Sequence, residues 1–315
     1  MAARLTSAQV IATHTADEMI GIINEIAGMI PELSLLVASP VPEISYKTLV
    51  CTGLPTAGFR AINVGRDRSE GVYVLRDVDC KYLDGSWDID NAAVKGIKGN
   101  KFVPQLQRDH LLAAMKAWQR QIYDGVGADA GGFPGLASLF PYSDSDGVVD
   151  AGGSSAGTGS SIYLVKTGEQ EVCVPWGHDG EITVGELKTD VQLYDGDSKP
   201  FMGQTQAIEG YAGLQLTNHK AVMRIGNLTA EDGHTATDSL ISGAVIDFAA
   251  RYGVMPDLIA MSYRSLKQLQ DSKTAVNATG AEAPIPESVQ KVRVVPTLGI
   301  TNTETILTAT PSGSE

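Results

Sequence analysis

Cysteine is scarce in this chain. Cys51, Cys80 and Cys173 are three in 315 residues, an odd number at wide spacings, which excludes a disulfide framework and a zinc ribbon and makes a reducing cytosol the simplest home. Basic charge is also short: 24 Lys and Arg face 37 Asp and Glu, for a formal net charge of −13. The deficit is uneven, with 13 basic and 14 acidic residues over 1–125 and 11 against 23 in the rest. Without any Lys/Arg run, that balance excludes the electrostatic footprint of a nucleic-acid binder. No apolar run approaches the roughly 18 residues of a membrane span, and the first residues lack the basic-then-apolar pattern of an export signal. Common catalytic spellings are missing as well. Neither G-x-x-x-x-G-K-[ST] nor a G-x-G-x-x-G after a strand occurs, and His14, His110, His178, His219 and His234 fall in unrelated contexts without an H-E-x-x-H spacing.

What is present suits a globular chain. At 43% hydrophobic residues and near-zero mean hydropathy, 315 residues can bury a full core in about two domains. One stretch, Val103 to Asp124, carries the longest uninterrupted helical pattern. Pro104 falls in the first turn, and Leu111, Met115, Trp118 and Ile122 recur at steps of four, three and four on one face. At about 1.5 Å per residue it is roughly 30 Å long, enough to cross a domain. Arg108, Lys116 and Arg120 are expected on the outward side, and His110 at the solvent edge. Periodicity alone favours an ordinary core helix of an α+β enzyme over a spine.

Before the helix, Ser7 to Ile30 holds a broken helical stripe ending at Pro31, and Leu33 to Val37 a second apolar run ending at Pro40 and Pro42. This segment reads either as an arm seeking a partner surface or as helices packed on their own domain. From Ile44 to Lys95 the period becomes strand-like. Tyr46, Thr48 and Val50 alternate, Phe59 to Val64 reads as a possible strand, and Val72 to Val78 alternates again. The result is a long hairpin, low in apolar mass, with Arg60, Arg66, Arg68 and Arg76 around its turn beside Asp67, Glu70, Asp77 and Asp79. Mixed charge on a projecting hairpin suits either salt bridges to a neighbouring subunit or a solvated loop. After the helix, strands are expected at Ser161 to Lys166, Glu171 to Pro175, Glu181 to Val184, Gly213 to Leu216 and Ala221 to Ile225. A helix from Thr237 to Gly253, a strand at Leu258 to Met261, a helix at Tyr263 to Gln270, a loop at Lys273 to Pro286 and a strand at Val289 to Pro296 form an α/β unit.

Two local spellings fail in context. Gly153-Ser154-Ser155-Ala156-Gly157 has the form G-x-S-x-G, but that elbow needs a buried strand before it and a helix after it. Here polar Ser143 to Asp150 precedes and a strand follows. Tyr142, Asp144, Asp146 and Gly147 resemble part of a calcium loop, yet Tyr142 and Gly153 stand where its two anchor carboxylates belong.

A resemblance runs through the chain in order. Gly58-Phe59-Arg60-Ala61-Ile62-Asn63-Val64-Gly65, Trp87-Asp88-Ile89-Asp90, Gln121-Ile122-Tyr123-Asp124-Gly125 and Gly132-Phe133-Pro134-Gly135-Leu136 look like successive landmarks of tailed-phage major capsid proteins. Ser160 to Val165, Arg224-Ile225-Gly226-Asn227-Leu228 and Asn302-Thr303-Glu304 continue the pattern, with Gly226 in place of the usual alanine and a polar tail from Ala309 to Glu315 unplaced.

The resemblance implies an α+β, Hong Kong 97-like capsid fold: an N-terminal arm over 1–43, an E-loop over 44–95, a peripheral domain over 96–228 with spine helix 103–124 and a sheet from Ser161 to Leu228. An axial domain over 229–295 and a return strand with C-terminal tail over 296–315 complete it. It implies a non-enzymatic coat protein with no cofactor, metal or membrane, assembling with itself as hexamers and pentamers into an icosahedral virion shell around double-stranded DNA that is held without sequence-specific binding. Scaffolding, decoration or cement proteins and a portal are the other implied partners, and the host bacterial cytoplasm the place of assembly. Non-covalent contacts through Phe59, Arg60, Arg66, Asp67, Arg68, Glu70 and Arg76 are the expected inter-subunit lock. Two readings stay beside it, an encapsulin-type compartment shell and a cytosolic α+β binding protein or enzyme.

Overall fold

The computed structural model describes residues 5–14, 17–96, 102–180, 182–275 and 281–311. Helices and strands mix in an α+β arrangement around two apolar clusters. The long helix spans Phe102–Asp124. Leu111, Met115, Trp118 and Ile122 are all buried, as their spacing requires, while Lys116 and Arg120 face outward. Arg108 does not stay free, since its guanidinium pairs with Glu25 of the helix Asp17–Met29.

That pairing belongs to a wider contact. Ile11, Ile23, Ile26 and Leu33 pack against Leu111 and Met115, so the described part of the N-terminal segment lies on its own spine. Glu32, 2% exposed, fixes the register: Gln119 Nε2 donates to it at 2.7 Å and Tyr123 Oη at 3.0 Å. A buried carboxylate without such donors would carry a large desolvation cost.

Beneath the helix lies a six-stranded sheet ordered Ala38–Pro40, Val172–Trp176, Ile208–Ala212, Lys81–Asp84, with Gln215–Leu216 and Ile182–Val184 at its margins. Trp118 stacks on Trp176 with ring centroids 5.6 Å apart. The middle of the spine therefore faces this sheet, and the expected strand Ile162 to Val165 is met at the spine's last turn, where the Tyr123 and Tyr163 rings lie 5.5 Å apart.

A second six-stranded sheet runs Ser288–Val289, Val292–Pro296, Leu258–Met261, Ser160–Val165, Val222–Leu228, Val148–Asp150. This corrects the expected partition, because Ser160–Val165 pairs with Leu258–Met261 of the 229–295 unit on one side and with Val222–Leu228 on the other, which places both strands in that unit's sheet instead of the one under the spine. Partners more than 90 residues apart, such as Val165 and Leu258, leave no local mark, and these strands are buried along their whole length, Arg224 and Asn227 included, so neither shows the alternation of a half-exposed strand. Tyr163 and Val165 enter the spine-side cluster, and Ile162 and Leu164 the cluster under the helices Asp238–Tyr252 and Tyr263–Ala275. The first of those helices is capped as its sequence predicts: Thr237 Oγ1 accepts from Leu240 N at 3.2 Å, and Gly253 closes it at φ 91°. Its partner helix runs on to Ala275, into the expected loop, of which residues 276–280 are outside those described.

Candidate assembly interface

The hairpin is built by Ser45–Gly53 pairing antiparallel with Val72–Asp79, in one register from Ser45 opposite Asp79 to Cys51 opposite Tyr73, after which the register shifts to set Gly53 opposite Val72. The ladder is anchored along its length, with Val50, Val78 and Cys80 buried. Beyond Gly53, residues 54–71 form no strand, and Phe59 to Val64, expected as a possible strand, makes a turn at Ile62 and Asn63 instead, closed by Val64 N donating to Ala61 O at 3.3 Å. Among the described residues no partner strand lies beside it to complete a ladder.

The structure divides the expected contact residues into two groups. Phe59, Arg60, Arg66, Asp67, Arg68 and Glu70 all sit on the exposed tip. There Arg60 Nη1 donates to Val64 O at 3.1 Å and Arg66 Nη1 to Gly58 O at 3.1 Å, bonds that shape the loop itself. Arg76 lies apart from the tip, half-buried, on the strand Val72–Asp79.

Charge-based reading missed the apolar residues. Leu54, Phe59 and Ile62 are 85%, 108% and 90% exposed, and Leu49, Val72, Tyr73, Val74 and Leu75 along the ladder are also exposed. A single folded chain rarely leaves so much apolar surface together unless another surface covers it. The signal was available: four apolar residues in a row, Val72 to Leu75, cannot all face one side of a ribbon.

The remaining landmarks serve the subunit's interior. At the spine's exit the chain doubles back so closely that a Cβ on Gly125, at φ 58°, would sit 2.2 Å from Gly135 N. Gln121 Nε2 ties this crossing by donating to Phe133 O at 2.7 Å. Arg224 and Glu304, 80 residues apart, form a buried ion pair at 2.8 Å. Arg224 Nε also donates to Ser161 Oγ at 2.9 Å and Nη1 to Phe140 O at 2.9 Å, and the guanidinium lies 5.6 Å from the Tyr163 ring. Asn227, at φ 57°, receives Leu307 N at 2.7 Å and donates to Leu307 O at 3.1 Å. Gly226 lies under the same segment, where a Cβ would meet Leu307 Cδ1 at 2.6 Å.

Removing the Glu304 carboxylate by Glu304→Ala leaves Arg224 buried with neutral acceptors only, which is expected to cost about 3–5 kcal/mol. Urea unfolding of the unassembled subunit measures it, and Glu304→Gln, which keeps an acceptor, is expected to cost less.

The sequence-flagged serine finds no catalytic setting. Ser155 Oγ donates to Glu231, while His234 Nδ1 faces Ala151 O at 2.6 Å, so the imidazole is not the hydroxyl's base. Burial pushes the Cys80 thiol up to about 11 and the Cys173 thiol up to about 12, which makes both unreactive as nucleophiles at neutral pH. Among the described residues no three His, Cys, Asp or Glu side chains gather as metal ligands, and no helix is long and apolar enough to cross a membrane.

The sequence model of a family described as Major capsid protein GP7 matches residues 34–272, well over half of the chain. The chain belongs to the major capsid protein GP7 family. A chain from the near-atomic structure of bacteriophage Epsilon15 superposes on this capsid protein with a TM-score of 0.60 at 18% identity, covering 87% of this chain and 88% of that one. The bacteriophage JBD30 capsid aligns with a TM-score of 0.49 at 11% identity over 85% and 89% of the two chains. No curated protein matches. The capsid protein has the Hong Kong 97-like fold and is a structural coat protein. The compartment-shell and cytosolic-enzyme readings are not favoured.

Proposed function

We propose that copies of this capsid protein assemble as hexamers and pentamers into the icosahedral shell that encloses the double-stranded DNA of a tailed phage, inside the host bacterial cytoplasm, without catalysing any reaction. The single observation that supports the mode of assembly is the hairpin, a two-stranded ribbon carrying an apolar, partnerless tip, on a member of a coat-protein family. Two strands alone are marginal in water, so its order is coupled to a neighbouring copy. In this reading residues 44–95 are the inter-subunit lock, with Leu54, Phe59 and Ile62 as its anchors and Arg60, Arg66, Asp67, Arg68 and Glu70 setting register at the rim. The spine and the sheet beneath it form the peripheral unit. The helices Asp238–Tyr252 and Tyr263–Ala275, with the sheet they cover, form the axial unit, its tip meeting its copies around the symmetry axes. Negative-stain microscopy and sedimentation of purified protein are expected to show shells or capsomers, and a stable small monomer would refute the proposal.

The same reading bears on packaged DNA. With a net charge of −13 a coat subunit repels the phosphate backbone, which leaves DNA free to enter and leave the shell. A mobility-shift assay at physiological salt is expected to show negligible duplex binding, and tight, salt-sensitive retardation would contradict it.

A further inference from the structure

Where the ribbon passes into its tip at Leu54, it and the end of the helix Asp238–Tyr252 enclose a cleft of about 500 Å³ whose walls include Arg76, Asp146, His219, Lys220, Arg251 and Tyr252. Its charge runs against that of the chain. Three cations line it, while its one carboxylate, Asp146, is engaged by Arg251 Nη2 at 2.7 Å. Burial, then the charge of Arg251, hold His219 below the usual imidazole range. The ring, set 5.2 Å from that of Phe140, is thus a neutral wall at pH 7.

Two donors in this group have no acceptor: Arg76 Nη1 and Arg251 Nε are buried without a hydrogen-bond partner. Arg251 is otherwise fixed, with Nη1 donating to Val222 O at 3.1 Å. Gly147, at φ 92°, makes room for it, since a Cβ there would lie 2.2 Å from that Nη1. Arg76 stands opposite on the ribbon, with nothing holding Nη1. Clustered cations with unsatisfied guanidinium donors are stabilised by an anion with two acceptor oxygens, the geometry of a carboxylate.

We propose that this cleft is a carboxylate-binding site filled in the assembled coat by an acidic side chain of a second copy of the chain, which clamps the ribbon of the hairpin to the axial unit as copies meet. The inference rests on the coat assembly proposed above. Charge complementarity selects the occupant: subunits that each carry −13 repel one another, and contact between them requires cationic sites that take up carboxylates.

Assembly of full-length protein with Arg76→Gln and Lys220→Glu, followed by light scattering and microscopy over a range of subunit concentration, tests the site. Arg76→Gln is expected to leave the melting temperature of the unassembled subunit unchanged, because Nη1 has no bond to lose, and to raise the concentration needed for shells about tenfold or more. Lys220→Glu, at an exposed position, is expected to act in the same direction. Inorganic phosphate at matched ionic strength is expected to inhibit wild-type assembly and to leave Arg76→Gln indifferent. Wild-type concentration dependence in both variants would overturn the site. So would a fall in subunit melting with Arg76→Gln while Lys220→Glu assembles normally, which would make Arg76 structural only. Phosphate that stabilises subunits through Arg76 without slowing assembly would make this a free-anion site and overturn the second-copy occupant. Failure of the wild-type protein to form particles would remove the coat reading itself, an outcome separate from all of these.

Discussion

Subunits in which residues 54–71 are replaced by a two-residue Asn-Gly turn are expected to stay folded and soluble and to close no shells. Gly53 and Val72 are opposite one another in the ladder, and a two-residue loop joins such a pair without splaying the strands. The ladder residues Val50 and Val78, buried in the subunit, remain. Everything removed is exposed except the half-buried Gly71, so the melting temperature of the subunit should hardly change. Assembly loses much more, because burying each of Leu54, Phe59 and Ile62 on a neighbour contributes about 1.5–3 kcal/mol and every subunit repeats the contact. Circular dichroism with microscopy separates the two effects. Shells of normal size and yield from this variant would show that the hairpin tip is not the lock.

Trp118→Ala is expected to act on the opposite step, destroying the subunit before assembly begins. Trp118 is 1% exposed, stacked on Trp176 between the spine and the sheet below it. Truncating a buried tryptophan costs about 3–5 kcal/mol, a large share of a typical domain stability of about 5–15 kcal/mol. Its indole Nε1 has no hydrogen-bond partner, so the loss is one of packing alone, and Trp118→Phe should restore much of it. The soluble fraction on expression and the unfolding midpoint report the effect, with aggregation through exposed apolar surface and free strand edges as the expected phenotype. Normal yield and stability of Trp118→Ala would mean that the spine does not organise the core.

Local chemistry was legible at particular places. The spine's stripe, the Thr237 cap, the Gly253 stop and the strand Leu258–Met261 all follow from residues a few positions apart. The edge ribbon Lys188–Tyr194 with Pro200–Gln206 was not legible, since its mostly exposed strands lack a buried face to impose alternation. The assembly surface was half legible. Arginines and carboxylates marked the tip, but only the structure showed its apolar side chains without a cover and separated Arg76 from the rest.

By itself, then, the sequence determined an acidic α+β chain with a long apolar-faced helix and a projecting charged hairpin, because those follow from composition and from periods of two and 3.6 residues. It also carried the landmarks of a capsid protein without their purpose. Tertiary structure alone decided that Arg224 meets Glu304, that Gly125 crosses Gly135, that Ser160–Val165 serves both cores, and that the N-terminal helices lie on the spine. Each of these joins residues far apart in the chain. Such pairings are selected by the collective burial of surface and the satisfaction of buried polar groups, which no local pattern records.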